Sequence, residues 1–396
     1  MSTLLLTQRF PPHPGAAARR LRYLADRFAA QGEVYVIRSG VPGEEVPSVT
    51  ETISVRGKDL RQLTGREGKT ISTKKKRSPA FRYLLNMRQA FPFVYLTDDG
   101  GADYRQKAFA TACQIVETKE ITTIFSSFRP WSDHLVAKRL KKKYPHLRWL
   151  ADFRDLPVDP VRQDIWWPGL QTWWGKQVIA SADEVWAVSA GQRAQLTGWH
   201  PNIIVRRNPL LALPPAENNP ITAHFSIVYT GSLYPGLQNV EPLVTALRSL
   251  IAAREVDPDK LRLVYRGKDA ELFREWMSGL PATSLAILSS IAPAAAQKMQ
   301  REAQVLLLLN WSAPNYYGVL TAKLWDYLAT GRPVLALVNG PDDPELRQII
   351  EDADAGVVFA TDEAGLQTWL RNAYRQWATT GQFSWSVYAE DLSRYL

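Results

Sequence analysis

Short apolar runs rich in β-branched residues alternate along most of the chain with segments whose apolar residues recur at helical spacing. That alternation predicts βα units and parallel sheets. In the first half the predicted strands are residues 2–7, 33–39, 121–128, 148–153, 184–189 and 202–208. The clearest helix runs from Ala16 to Gln31, where Leu21, Leu24, Ala25 and Phe28 fall at i, i+3, i+4 and i+7 and Gly32 supplies a stop. Residues 211–220 then break both periods with three prolines and no apolar repeat, as a linker does. Beyond it the alternation restarts, with predicted strands at 225–231, 261–267, 285–291, 305–311, 333–338 and 355–360. A helix is predicted over 362–379 and a last one in the aromatic-rich tail 383–396.

The reading is an α/β chain of two Rossmann-like, doubly wound parallel-sheet domains facing a cleft, the place where such sheets bind ligands. The boundaries are 1–210, a linker at 211–222, 223–380, and a C-terminal helix at 381–396 able to cross back to the first domain. A length of 396 residues suits two cores. No repeat of 20 to 50 residues is visible.

Composition changes this picture in three ways. With 45% hydrophobic and 22% charged residues, the chain reads as globular rather than disordered. Its single cysteine, Cys113, can form no intrachain disulfide, which suits a reducing compartment. The apolar start stops at Gln8-Arg9, too soon for a signal peptide, and nowhere do about 18 apolar residues run together, so a cytoplasmic protein without a spanning helix is expected. Charge is uneven: residues 1–208 carry 33 Lys/Arg against 19 Asp/Glu, and residues 209–396 carry 15 against 20. The first half therefore suits an anionic partner, whether lipid headgroups, nucleic acid or a phosphorylated acceptor, or else has a merely solvated basic surface.

Four stretches could carry chemistry. In the first loop, Gly15 directly precedes a helix, where backbone N–H groups favour an anion, although a plain strand-to-helix turn reads equally well. In Phe125-Ser-Ser-Phe-Arg-Pro-Trp-Ser-Asp-His, which includes Arg129, His134 falls in the first turn of a helix after a strand. There it is either a substrate contact or a surface histidine. The strand around Leu150 ends in Asp152, Arg154 and Asp155, charges that must be paired or used. In the second half, strands end at Gly231-Ser232 and at Arg266-Gly267-Lys268, so two cations flank a glycine where a diphosphate could be clamped or where loop charges are simply solvated.

The strongest stretch runs from Tyr316 through Gly318 and Lys323 to Pro333: a loop, a helix and a strand. The N–H groups of Val319, Leu320, Thr321 and Ala322 are expected to project toward an anion, with Lys323 adding charge. Asp326, three residues on, shares nearly the same helical face, where a carboxylate can accept from ribose hydroxyls.

From Thr7 to the C-terminus the chain resembles family 4 of the retaining GT-B glycosyltransferases. The resemblance rests on Phe10-Pro-Pro-His-Pro-Gly, Asp152-Phe-Arg-Asp, Val188-Ser, Arg207-Asn-Pro, Tyr229-Thr-Gly-Ser and Lys323-Leu-Trp-Asp-Tyr-Leu-Ala-Thr-Gly-Arg-Pro-Val. It implies Gly15 near the donor phosphates, His134 facing the transferred sugar, and 318–326 on diphosphate and ribose. On this reading His134, Gly15 and Asp155 are the catalytic set. Gly231, Ser232, Arg266, Lys268, Gly318, Val319, Leu320, Thr321, Lys323 and Asp326 hold the donor, and Arg129 and Arg154 lie on the acceptor side. Two departures matter. Gly318 stands where many members have the first of two glutamates and Asp326 where they have the second, and Ser232–Asn239 lacks their usual Arg and Lys.

The expected activity is transfer of a sugar, by resemblance with retention, from a nucleotide-sugar substrate to a saccharide or lipid-linked acceptor. No metal is expected, and no cofactor, since the nucleotide-sugar is a substrate. A nucleotide-sugar 2-epimerase and a non-catalytic nucleotide-binding scaffold are the rivals. Nucleic acid is not an expected partner, since the basic excess comes with no recognised motif. Contact with an anionic membrane, at its inner face, is expected through 69–93, where cations meet Phe81, Leu84 and Met87, and through 165–176. In the latter, Trp166, Trp167, Trp173 and Trp174 are spaced by seven. The alternative for the tryptophans is packing against the sheet.

Overall fold

The computed structural model describes residues 2–13, 15–40, 45–57, 101–159, 165–215 and 219–396. These divide into two compact units, Met1–Val188 with Arg193–Arg206, and Ser189–Gln192 with Arg207–Leu396.

The first unit is built on β1 (Ser2–Leu6), β2 (Val34–Ser39), β3 (Glu51–Val55), β4 (Ile121–Phe128), β5 (Arg148–Phe153), β6 (Glu184–Ala187) and β7 (Ile203–Val205). They form one parallel sheet in the order β3-β2-β1-β4-β5-β6-β7. The central strands are buried along nearly their whole length, Thr122 and Arg148 near their starts excepted, because helices are applied to the sheet, as parallel strands require. Helix Ala16–Ala29 buries Leu21, Leu24 and Ala25 against Leu5, Val34, Val36, Phe125 and Leu150. The sequence pattern missed β3. Its five residues sit at the sheet edge, with Glu51 exposed and only Val55 buried, so no apolar run marks them.

The second unit has β8 (Phe225–Thr230), β9 (Leu261–Arg266), β10 (Leu285–Leu288), β11 (Val305–Trp311), β12 (Val334–Asn339) and β13 (Gly356–Phe359), in the order β10-β9-β8-β11-β12-β13 and again all parallel. Alternation along β11 feeds two cores. Val305, Leu307 and Leu309 join the helices Glu241–Ala252 and Glu363–Thr380, while Leu306 and Leu308 join Leu324, Leu346 and Ile350 on the other face. The fold is thus two parallel-sheet α/β units of seven and six strands.

Residues 207–222, read from the sequence as a domain end and a linker, group with the second unit. Leu210 N–H donates to Tyr395 O (2.8 Å) and Thr222 N–H to Gly381 O (2.9 Å). The tail is not one helix. Only Ala389–Leu392 is α-helical, followed by a single 3-10 turn, because the backbone before it is claimed from outside: Phe383 N–H by Gln304 Oε1, Trp385 N–H by Asn219 Oδ1 and Tyr388 N–H by Ala353 O. Every one of these partners lies in the second unit.

Candidate functional site

Each unit gathers its chemistry at the C-terminal end of its sheet. In the second unit β8 and β9 end side by side, where Gly231 N–H donates to Arg266 O at 2.8 Å. Gly231 has φ +115°, a backbone conformation that demands glycine, and a Cβ there would lie 2.6 Å from Lys323 Cε, so the lysine would have to move. Gly267 is equally confined, since a Cβ would collide with Gly231 O and the Tyr265 hydroxyl.

Lys323, the second residue of helix Ala322–Leu328, reaches into this corner. Its Nζ donates to Tyr229 Oη at 2.7 Å and to Ser232 O at 3.1 Å, and lies 4.7 Å from the Tyr229 ring centre. An ammonium has three protons, so two are used here. Among the described residues no carboxylate forms an ion pair with it. Burial lowers its pKa to about 8, only partly opposed by the charge of Asp269. The ammonium is held by neutral oxygens over a stack of Tyr229, Tyr265 and Phe273. The sequence had singled out Gly231, Ser232, Arg266 and Lys323, which meet here. Arg266 adds a buried Nε without a hydrogen-bond partner, while Lys268 is exposed. Tyr229 and Asp269 were missed, the first because a tyrosine inside an apolar strand reads as core.

The Gly318 stretch differs from expectation. Gly318 N–H donates at 2.9 Å to the carboxylate of Asp343, and Val319 N–H supports the same group. Leu320 N–H goes to Gly318 O and Thr321 N–H to Val319 O. The anion that Gly318 and Val319 face is therefore the protein's own carboxylate, which also caps the helix Pro344–Glu351 by accepting from Leu346 N–H. Leu320 is a core residue. Only Ala322 and Lys323, first in their helix, keep N–H groups with no intrahelical acceptor. Asp326 is half-buried on that helix. Where a side chain at 318 would go, Glu345 stands instead, its Oε2 2.7 Å from the position of a Cβ. Glu345 accepts from Ala190 N–H (2.9 Å) and Gly191 N–H (3.0 Å) and pairs with Arg207 at 2.7 Å. The run Asp343-Pro-Glu carried a legible cap signal, an N-cap acid before proline at the first helical position.

In the first unit His134 is neither at the surface nor open to a ligand. Its side chain is fully buried among Phe128, Trp131, Trp149 and Phe153, at ring-centre distances of 4.9 to 6.4 Å. The helix starts at Trp131, so its fourth residue turns inward beneath Phe128. Nδ1 is 2.7 Å from Ser126 Oγ, which accepts from Trp149 Nε1 at 2.8 Å, and Nε2 has no partner. Burial lowers the pKa to about 3, so the ring is neutral. Asp152 is paired rather than free: Arg20 Nη2 is 2.7 Å away and Ser127 Oγ donates at 2.9 Å, all within the core. Asp155 is exposed and only 3.9 Å from Arg154 Nη1. Arg154 Nη2 donates to Arg129 O at 2.8 Å, which brings these two together. Gly15, at φ +108° with open space around its missing Cβ, precedes helix Ala16–Ala29, which has no side-chain cap.

The tryptophan stripe splits. Trp174 packs edge-on against Trp131 at 5.0 Å, whereas Trp167, Leu170 and Trp173 are 44%, 50% and 60% exposed. The other expected membrane segment, 69–93, lies outside the described residues. Among the described residues no helix is long and apolar enough to cross a membrane, and no group of three or more His, Cys, Asp or Glu could hold a metal ion.

By sequence the chain matches no protein-family profile and no curated protein. By structure it is similar to sucrose-phosphate synthase from Thermosynechococcus elongatus, with 15% identity, TM-score 0.62, and 100% of this chain and 95% of that one covered. It is also similar to WaaG, a glycosyltransferase involved in lipopolysaccharide biosynthesis (14%, 0.51, 100% and 95%), and to the trehalose-6-phosphate protein of E. coli bound with UDP-2-fluoro glucose (11%, 0.52, 100% and 94%). Fold and strand order together place the chain in the GT-B fold class.

Proposed function

We propose that the protein is a glycosyltransferase that takes a sugar from a nucleotide-sugar bound to its second unit. One observation carries this: Lys323, a desolvated ammonium with a proton to spare, sits between two strand ends that only glycines can line. A nucleoside diphosphate leaves with negative charge growing on its bridging oxygen, and a fixed cation in a water-poor site stabilises that charge. Lys323, with Arg266 and Lys268 at the neighbouring strand end, supplies it, and Asp326 takes the ribose. That structures of the same fold include a glycosyltransferase and a protein bound with UDP-2-fluoro glucose supports the reading.

The finer reading is a retaining, metal-independent hexosyl transfer of the family 4 kind, serving polysaccharide or glycoconjugate synthesis on the cytoplasmic side of a membrane. The exposed Trp167, Leu170 and Trp173 favour a membrane surface, since tryptophan prefers the headgroup level. His134 is a positioning residue here: it fills the space under the β4-to-helix junction and so sets Arg129. Calorimetric titration with UDP-, GDP-, ADP- and dTDP-sugars tests the reading. One of these donors binds the wild type, and Lys323→Met weakens it about tenfold or more, the scale of a hydrogen bond to a charged group. Equal binding by the folded variant, or none by the wild type, overturns it. Release of free nucleoside diphosphate only when acceptor is added separates transfer from epimerisation.

A further inference from the structure

Three arginines converge at the C-terminal edge of the first unit's sheet, and the strand order puts them there. Phe128 of β4 and Phe153 of β5 are Cα partners, so Arg129 and Arg154, the next residue of each, leave the sheet side by side. The hydrogen bond from Arg154 Nη2 to Arg129 O fixes that pair. Arg9 comes from β1, the other neighbour of β4. Its loop is tied to the same junction, because Gln8 N–H donates at 3.1 Å to Asp133, in the first turn of the helix that opens two residues after Arg129.

Arg154 is the deepest of the three. Its side chain is 13% exposed and its Nε is shielded from water with no hydrogen-bond partner. Among the described residues its one carboxylate neighbour within ion-pair range, Asp155, stands at 3.9 Å, the outer limit of a pair. Burial holds the guanidinium below its usual range; Asp155 and the Arg20-paired Asp152 oppose this, and Arg9 and Arg129 add to it. Arg154, desolvated and with its Nε unanswered, would gain from an added anion at this edge. The planar fork of a guanidinium matches phosphate oxygens two at a time.

We propose that Arg9, Arg129 and Arg154 form a phosphate seat in the first unit, and that the acceptor is a phosphate-bearing compound. The assignment to an acceptor rests on the transferase reading above; the seat itself does not. Glucose 6-phosphate and inorganic phosphate, titrated calorimetrically into the full chain, probe a soluble phosphate. Vesicles of phosphatidylcholine with and without phosphatidic acid probe a lipid one. The seat predicts binding of at least one phosphate probe, weakened roughly tenfold in Arg9→Met, whose side chain starts exposed, and likewise in Arg154→Lys, which keeps the charge but loses the fork. Lys323→Met leaves this binding unchanged, and Arg9→Met leaves nucleoside-diphosphate binding unchanged. Dependence of glucose 6-phosphate binding on Arg9 identifies a soluble acceptor. Arg9-dependent sedimentation with phosphatidic acid vesicles alone identifies a lipid one. The seat is overturned if folded Arg9→Met and Arg154→Lys bind as the wild type does, if Lys323→Met alone removes the binding, or if no phosphate probe binds. Loss of the donor reading, with no nucleotide-sugar bound by the wild type, would leave an Arg9-dependent phosphate signal intact, so the two failures are distinct.

Discussion

The two sheet edges treat buried charge in opposite ways. In the first unit Asp152 is answered within the protein: Arg20 and Ser127 take its oxygens, and Arg20 also holds Arg206 O at 3.0 Å. In the second unit Lys323 is just as deliberately placed, but only the neutral Tyr229 hydroxyl and Ser232 carbonyl meet it. A closed pair adds rigidity to a core, whereas a cation left without a carboxylate keeps its field for something that arrives later. On the proposed function, the difference separates a structural charge from one kept for a ligand.

Breaking the closed pair is expected to have the largest effect on stability. Asp152→Ala strands Arg20 in the core, and such a loss costs about 3–5 kcal/mol. Urea denaturation followed by tryptophan fluorescence measures it as an earlier first transition, with nucleoside-diphosphate affinity of the still-folded protein unchanged. A stable variant that lost donor binding would reverse the comparison.

Gly231→Ala comes next. It forces a side chain into φ +115° and onto the Lys323 stem, a strain on the order of 1–3 kcal/mol. Donor affinity falls with it because the ammonium is displaced. Thermal denaturation and calorimetry on one preparation read both effects, and a loss of stability alone would detach Gly231 from the site.

The effect that is smallest at neutral pH, and grows only in acid, sharpens the comparison at His134. Its pKa is depressed in the fold to about 3, below the ordinary 6.5, so below pH 6.5 the unfolded chain takes up a proton that the folded one refuses. Stability therefore falls as pH drops from about 6.5 toward 3, by at most about 1.4 kcal/mol per unit. His134→Leu removes that slope and leaves donor affinity as it was. An unchanged slope in the variant would show that His134 is not the group responsible.

These contrasts also mark what the sequence could reveal. Apolar periodicity located every central strand, because parallel strands are buried on both faces and read as continuous runs, and it missed β3, an exposed edge. Gly231, at the end of β8 with φ +115°, carries a local signature, and Lys323 was singled out as a cation at a helix start. The partners of buried charges were not. Arg20 lies 132 residues from Asp152, and Asp343 lies 25 from Gly318, separations that no local pattern spans. His134 does fall in the first turn of its helix, as read; what no local pattern gives is that this turn faces the core among Phe128, Trp131, Trp149 and Phe153.

The central claim is that Lys323 waits for the donor's diphosphate, and proton uptake on binding tests it most directly. With a pKa of about 8 in the free protein, much of the Lys323 population is neutral near pH 8.5, and an anion seated on it draws a proton back. Calorimetric titration of the nucleoside diphosphate in two buffers of different ionisation enthalpy therefore shows net uptake by the wild type. Affinity weakens as pH rises through 8, and neither effect is seen in Lys323→Met. Binding without proton uptake, at equal affinity in both proteins across that range, would contradict the account.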